Sequence, residues 1–234
     1  MTALGERMKA LEDTRTLPGE QAIIRIDGKA WHTYTRRLDK PFDRQLMADM
    51  EATTVALCER IQGAQWGYTQ SDEISILIEW TGNACPWFGG RVQKIASVAA
   101  SIATRAAAQW AARRSMEAPL FDARVFPIPA DQVTSYLLWR VRDSRKNCVA
   151  SMAHHRFGHK ALMGRHTTEK LEMLGLTAEV LVGTREYDGA LYVPAVREGD
   201  VTYTRRDTGE TLTTTVQRRV WERRPVDDLL EVPA

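Results

Sequence analysis

Ala22-Ile23-Ile24-Arg25-Ile26-Asp27-Gly28-Lys29 is an apolar, β-prone run that ends on a carboxylate and a glycine. Further along, Gln70-Ser71-Asp72-Glu73 stands immediately before a second such run, Ile74-Ser75-Ile76-Leu77-Ile78. Strand ends place side chains at the rim of a sheet, so two neighbouring strands of this kind can bring two carboxylates to one point. Converging carboxylates repel unless a cation lies between them, and hard oxygen ligands suit Mg²⁺. Read singly, Asp-Gly is a common turn and Ser-Asp-Glu a solvated hairpin tip. Read together they are more specific, because Lys29, His32, Thr33, Thr35, Arg36, Arg37 and Lys40 follow the first carboxylate. A cationic, hydroxyl-rich loop after a metal-binding aspartate is what a nucleoside triphosphate needs.

The elements around these segments set the fold class. Leu4–Glu12 reads as a short amphipathic helix and Gln21–Ile26 as the first strand. Asp43 is positioned to cap a helix reaching about Gln62, with Leu46, Met47, Met50, Val55 and Leu57 near helical spacing. Trp66–Thr69 and Ile74–Trp80 read as a hairpin with Ser71-Asp72 at its tip. Arg91–Arg113 is Ala-rich, and Ile95, Val98, Ile102, Ala106 and Trp110 form the expected buried stripe. Ala123–Phe126 reads as a strand stopped by Pro127 and Pro129, after which Asp131 caps a helix running past Trp139. The order β-α-β-β-α-β predicts an α+β, ferredoxin-like domain. In that topology the strands bearing Asp27 and Asp72 are central neighbours. Residues 1–142 are expected to form the core with its N-terminal helix. Residues 143–234 are expected to form a helical and β extension packed on it.

Composition bounds the partners. A chain of 234 residues buries a sizeable core. A net charge of +2, from 32 basic and 30 acidic residues, advertises no polyanionic partner overall. Locally the picture changes. Trp80–Met116 holds no acid, while Leu138–His166 holds Asp143 alone against Arg140, Arg142, Arg145, Lys146, Arg156, Lys160 and Arg165. Such tracts suit nucleic-acid phosphates; solvated helix faces are the alternative. Cys58, Cys85 and Cys148 form no CxxC pair, so neither a disulfide framework nor a structural zinc site is indicated. No apolar run approaches the ~18 residues of a membrane span and no signal-peptide pattern opens the chain, so the cytoplasm is the expected compartment.

The chain resembles the tRNA-histidine guanylyltransferase family and its 3′–5′ polymerase relatives. The resemblance rests on RIDGKAWHTYT (Arg25–Thr35), DKPFD (Asp39–Asp43), YTQSDEISILI (Tyr68–Ile78), RVQKIASVAAS (Arg91–Ser101), FDARVFPIP (Phe121–Pro129) and YLLWR (Tyr136–Arg140). It implies a nucleotide-polymerase palm and a two-Mg²⁺ site held by Asp27, the Gly28 carbonyl and Asp72. One metal would acidify the attacking 3′-hydroxyl of an incoming nucleotide, and the other would offset charge on the leaving pyrophosphate. ATP and GTP are the implied substrates, tRNA the partner and a tetramer the implied assembly. Asp27, Gly28, Lys29, Ala30, Trp31, His32, Ser71 and Asp72 match the family's nucleotide-contacting stretches, and Lys40, Arg91 and Lys94 are candidate phosphate ligands. Glu73 is a candidate catalytic carboxylate that orients a metal-bound water or a base; a solvent-facing strand residue is the alternative. His32 donates to phosphate or caps its loop, and Trp31 packs beneath the site. Arg140, Arg142, Arg145, Lys146, Asn147, Arg156 and Lys160 are the candidate RNA contacts.

One departure matters. Family members specific for tRNA-histidine carry His-Ile-Asn-Asn where this chain has Arg145-Lys146-Asn147-Cys148. Template-dependent repair of truncated tRNA 5′ ends is therefore the expectation, with strict addition of one guanosine to tRNA-histidine as the alternative. A palm-type nucleotide cyclase and an inactive RNA-binding protein are more distant alternatives. In the cluster His154, His155, His159 and His166, the pair His155 and His159, four apart, could bind zinc from one helix face. No HExxH and no cysteine pair accompanies them, so RNA contact or subunit packing is the expectation.

Overall fold

The computed structural model describes Leu17, residues 19–82 and residues 84–230; the expected helix Leu4–Glu12 lies outside them. β1 (Gln21–Gly28), β2 (Ala64–Gln70), β3 (Glu73–Glu79), β4 (Phe121–Pro127), β5 (Ala190–Thr204) and β6 (Thr211–Arg224) form one antiparallel sheet in the order β4-β1-β3-β2-β5-β6. Helices α1 (Arg44–Arg60) and α2 (Val92–Arg113) cover one face, and α3 (Val133–Ala161) covers the other. The first four strands with α1 and α2 are the expected ferredoxin-like unit.

Coverage on both faces explains why β1 is apolar almost throughout. Ile24 and Ile26 pack toward α1 and α2, Ile23 packs toward α3, and all three are fully buried. Each contributes about 1.5–3 kcal/mol by leaving water. On α2 the buried row is Ile95, Ala99, Ala103, Ala107 and Trp110-Ala111. The expected stripe is thus displaced: Val98 and Ile102 are only partly buried on its flank. Alanines every fourth residue let the helix backbone lie close to the sheet, and the larger side chains close its sides.

Asp43 caps α1 as expected, its Oδ1 accepting the Leu46 N–H at 2.7 Å. The same carboxylate takes two hydrogen bonds from Arg114 at the end of α2, and Arg114 also reaches Asp49 at 3.5 Å. These contacts lock the two helices together near the end of β1 that carries Asp27. Asp131 caps nothing; it lies in the 3₁₀ turn Ala130–Gln132, and Gln132 precedes α3. The position between residues 142 and 143 falls inside α3, and β5 joins the core sheet through Ala190–Tyr192 on β2. Beyond those pairs β5 and β6 continue as a two-stranded arm to Thr204 and Thr211. Helix α4 (Thr167–Leu174) packs beside α3 through Leu171 and Leu174.

Candidate active site

β1 and β3 pair so that Asp27 faces Glu73 across the strands, and Asp122 on β4 faces Asp27 from the other side. Asp72 sits in the two-residue turn between β2 and β3, beside Ser71, whose φ of 50° is left-handed. A non-glycine residue in that region is uncommon and frequently marks a functional site. The Asp27-Gly28 corner lies directly against this turn. A Cβ built on Gly28 would come within 3.1 Å of the Asp72 Cβ and 2.5 Å of the Trp31 ring. Only glycine permits that approach, and it brings the two acidic segments together as their strand positions predict.

The Asp27, Asp72 and Glu73 carboxylates are treated differently. Glu73 is buried, receives Arg140 in a two-point grip at 2.6 and 2.9 Å, and has Arg25 at 3.9 Å. Burial holds its carboxyl above the ordinary value, while the Arg140 and Arg25 guanidiniums pull it back. Among the described residues Asp27 and Asp72 make no ion pair. Burial, and then the Asp27 charge, push Asp72 up to about 6. A carboxylate whose charged form is disfavoured by burial and by a second carboxylate beside it would gain from a cation between them. Oxygen donors alone favour Mg²⁺, and no cluster of three or more His, Cys, Asp or Glu suited to a metal occurs among the described residues. Asp27, Gly28 and Asp72 fit an ion that keeps water or substrate oxygens in its shell.

Beside Asp72 opens a cavity of about 460 Å³, a size that accepts a small-molecule ligand. Its walls include Trp31, His32, Lys40, Ser71 and Asp72 from the predicted set. Residues 5–129 match the family model for tRNAHis guanylyltransferase, Thg1. The chain belongs to that family.

A probable tRNA(His) guanylyltransferase of Drosophila melanogaster is 31% identical over 156 residues, covering 63% of this chain and 54% of that one. A bacterial Thg1-like protein solved in complex with ATP is 33% identical with a TM-score of 0.76, covering 82% of this chain and 87% of the other. A bacterial Thg1-like protein in complex with GTP is 28% identical with a TM-score of 0.71, covering 99% and 93%. The chain spans 63% and 54% of the length of two curated relatives that it matches.

Within this Thg1-family site the remaining predicted residues separate. Lys29 and Ala30 are exposed, with the Lys29 N–H tied to the Leu120 carbonyl. Trp31 stacks on Tyr34 with ring centres 5.2 Å apart and meets Phe121 at 5.9 Å, so it packs beneath the Asp27-Gly28 corner. Arg91 and Lys94 are not brought to the carboxylates within one chain. They lie at the start of α2, where the Leu17 N–H donates to the Gly90 carbonyl beside the opening of β1. That is the opposite end of the strand, about 20 Å from Asp27 at the rise of a β-strand.

The candidate RNA tract needs correction. Arg140 is 4% exposed and bonded to Glu73 and Asp143, because α3 lies on the sheet face that carries Glu73. Arg145 points into an ion pair with Asp188 at 2.7 Å. Asn147 lines the cavity, while Arg142, Lys146, Arg156 and Lys160 are exposed. His155 and His159 do not share a helix face, since Gly158 between them has φ 75° and ψ 168°. Sequence reasoning missed Ser144, Ser151, Arg185 and Glu186 in the cavity wall. The signal for the first two was a small, polar row on α3, Ser144, Asn147, Cys148 and Ser151, at helical spacing.

Proposed function

We propose that this chain is a nucleotidyltransferase that adds nucleotides in the 3′–5′ direction to the 5′ end of tRNA, using ATP and GTP as substrates. The carrying observation is the meeting of Asp27-Gly28 with Asp72, which itself lines a cavity of about 460 Å³ that also bears Lys40 and His32. Two Mg²⁺ ions bound at Asp27, Gly28 and Asp72 would lower the pKa of an attacking hydroxyl and offset charge on pyrophosphate. The protein's own part is placement: Lys40 and His32 neutralise and orient phosphates, the rigid Ser71-Asp72 turn fixes one carboxylate, and Trp31 holds the Asp27-Gly28 corner from below. The exposed cations Arg142, Lys146, Arg156 and Lys160 supply a track for the tRNA backbone, and an oligomer is the proposed assembly by likeness to the family. No helix among the described residues is long and apolar enough to cross a membrane.

Substrate choice is proposed to be template-dependent repair. The family's His-Ile-Asn-Asn motif is replaced by Arg145-Lys146-Asn147-Cys148, and Arg145 is engaged by Asp188. Labelled GTP, Mg²⁺ and several tRNAs lacking their first nucleotide test this directly. The enzyme should restore the base complementary to the opposite strand in each of them. A large kcat/KM gain from a histidine anticodon, with poor repair of every other tRNA, would instead establish the strict guanosine-adding reading.

A further inference from the structure

Arg145 looks, in sequence, like part of a basic RNA-binding tract, yet its surroundings are those of an internal brace. Its Nε donates to Asp188 Oδ1 at 2.7 Å, and its guanidinium lies over the Tyr187 ring at 5.3 Å from the centre. The Arg145 side chain is 27% exposed and that of Asp188 7%. Asp188 is a hub. Its other carboxylate oxygen accepts the Gly183 N–H at 2.5 Å, and its carbonyl accepts the Tyr68 hydroxyl of β2 at 2.9 Å. Tyr187 is buried with Cys148 and Val149 of α3. The segment 183–189 is therefore fastened to the sheet and to α3 around this one carboxylate.

The same segment enters the cavity. Arg185 and Glu186 line it together with Asp72, and Arg185 is anchored to α1 by its Nε donating to Glu51 Oε1 at 2.7 Å. The Tyr192 hydroxyl donates to the other oxygen of Glu51. Arg185 Nη2 is the buried side-chain donor that finds no acceptor among the described residues. Leaving such a donor unmade costs about 1–3 kcal/mol, a cost borne by the packing of segment 183–189.

We infer that Arg145 is a positioning residue for nucleotide recognition: through Asp188 it fixes the wall segment whose Arg185 and Glu186 meet the phosphates and base of a nucleoside triphosphate. This rests on reading the cavity as the nucleotide site. Removing Arg145 leaves Asp188 buried without its cation and frees one side of the segment. The loss falls on nucleotide affinity, with RNA binding untouched.

The test compares Arg145→Ala, Arg145→Lys, Arg185→Ala and the double variant R145A/R185A in the full chain, measuring GTP affinity with Mg²⁺, KM and kcat separately, and the salt dependence of tRNA binding. R145A should weaken GTP binding about tenfold, the effect of a coupling near 1.4 kcal/mol, raising KM more than it lowers kcat. R145K should recover part of that loss, and R145A should add little in the R185A background. The log–log salt slope for tRNA should not change. A slope lowered by about one with GTP affinity intact would make Arg145 a phosphate contact and overturn the inference. Full additivity with R185A would also overturn it. Should R145A not fold, D188N carries the same comparison. Ser151→Trp, which fills the cavity from α3, tests the underlying reading: GTP affinity unchanged in S151W removes the cavity as the nucleotide site. GTP binding lost in S151W but kept in R145A rejects only the role of Arg145.

Discussion

Asp72 and Glu73 are adjacent in the chain and sit at the same rim of the same sheet, yet they have opposite fates. Glu73 turns inward onto Arg140 and Arg25, and its charge is spent within the protein. Asp72 faces the cavity beside Asp27, makes no ion pair among the described residues, and is held at about 6 by burial and by its neighbour's charge. A buried carboxylate with a guanidinium is part of the framework. A half-buried carboxylate beside another carboxylate, with no ion pair among the described residues, keeps its charge open to the cavity. Asp72 belongs to the turn and Glu73 is the first residue of β3, so one step along the chain separates an acid held at the hairpin tip from one gripped by α3.

The strongest way to break this contrast is to remove each acid in turn. Asp72→Ala and Asp27→Ala should abolish nucleotide addition, a loss of several kcal/mol of transition-state stabilisation, while the melting temperature stays at or above that of the wild type. Glu73→Gln should do the reverse in stability. Arg140 loses its two-point grip and keeps Asp143 alone, a loss that outweighs the burial cost of the Glu73 charge by about 3 kcal/mol, the low end for breaking a buried pair. That corresponds to a melting temperature lower by roughly 10 °C for a chain of this size. Thermal melts and single-turnover assays on the same preparations decide the matter. Equal destabilisation by D72A and E73Q would erase the distinction.

A smaller effect sharpens it through pH. Asp72 is raised in the folded protein from 3.8 to about 6, so the folded state binds its proton more tightly than the unfolded chain does. Its contribution to stability is complete below about pH 4 and is lost as pH rises through about 6, a change on the order of 2–3 kcal/mol. Without Mg²⁺, Asp72→Asn should therefore be more stable than wild type at pH 7.5 and nearly equal at pH 4. Added Mg²⁺ should raise the wild-type melting temperature above pH 6 and act weakly at pH 5, where protons compete for the site. A D72N variant that responds to Mg²⁺ as wild type does would place the ion elsewhere.

The smallest expected effect separates outward from inward cations on α3. Lys146→Ala and Lys160→Ala should each lower the log–log salt slope of tRNA binding by roughly one unit, with nucleotide affinity unchanged. Binding isotherms at several salt concentrations read this out. Slopes equal to wild type would remove α3 from the RNA path.

Much of the framework was legible because its causes are local. The Asp43 cap, the hairpin tip at Ser71-Asp72, the strand ending at Asp27-Gly28 and the Ala-rich helix each declare themselves within a few residues. Strand order followed from the sequence of elements, and with it the meeting of two acids at one rim. The roles of the arginines were not legible. Arg140 and Arg145 belong to the same basic run as Arg142 and Lys146, and nothing local distinguishes them. What turns them inward is Glu73, 67 residues earlier, and Asp188, 43 residues later. A guanidinium takes whichever anion the packed structure sets within reach. Periodicity and turn chemistry determined where this protein's two acidic corners lie. Only the docking of α3 and of segment 183–189 against the sheet decided which charges are consumed inside the protein and which remain open to the cavity and the surface.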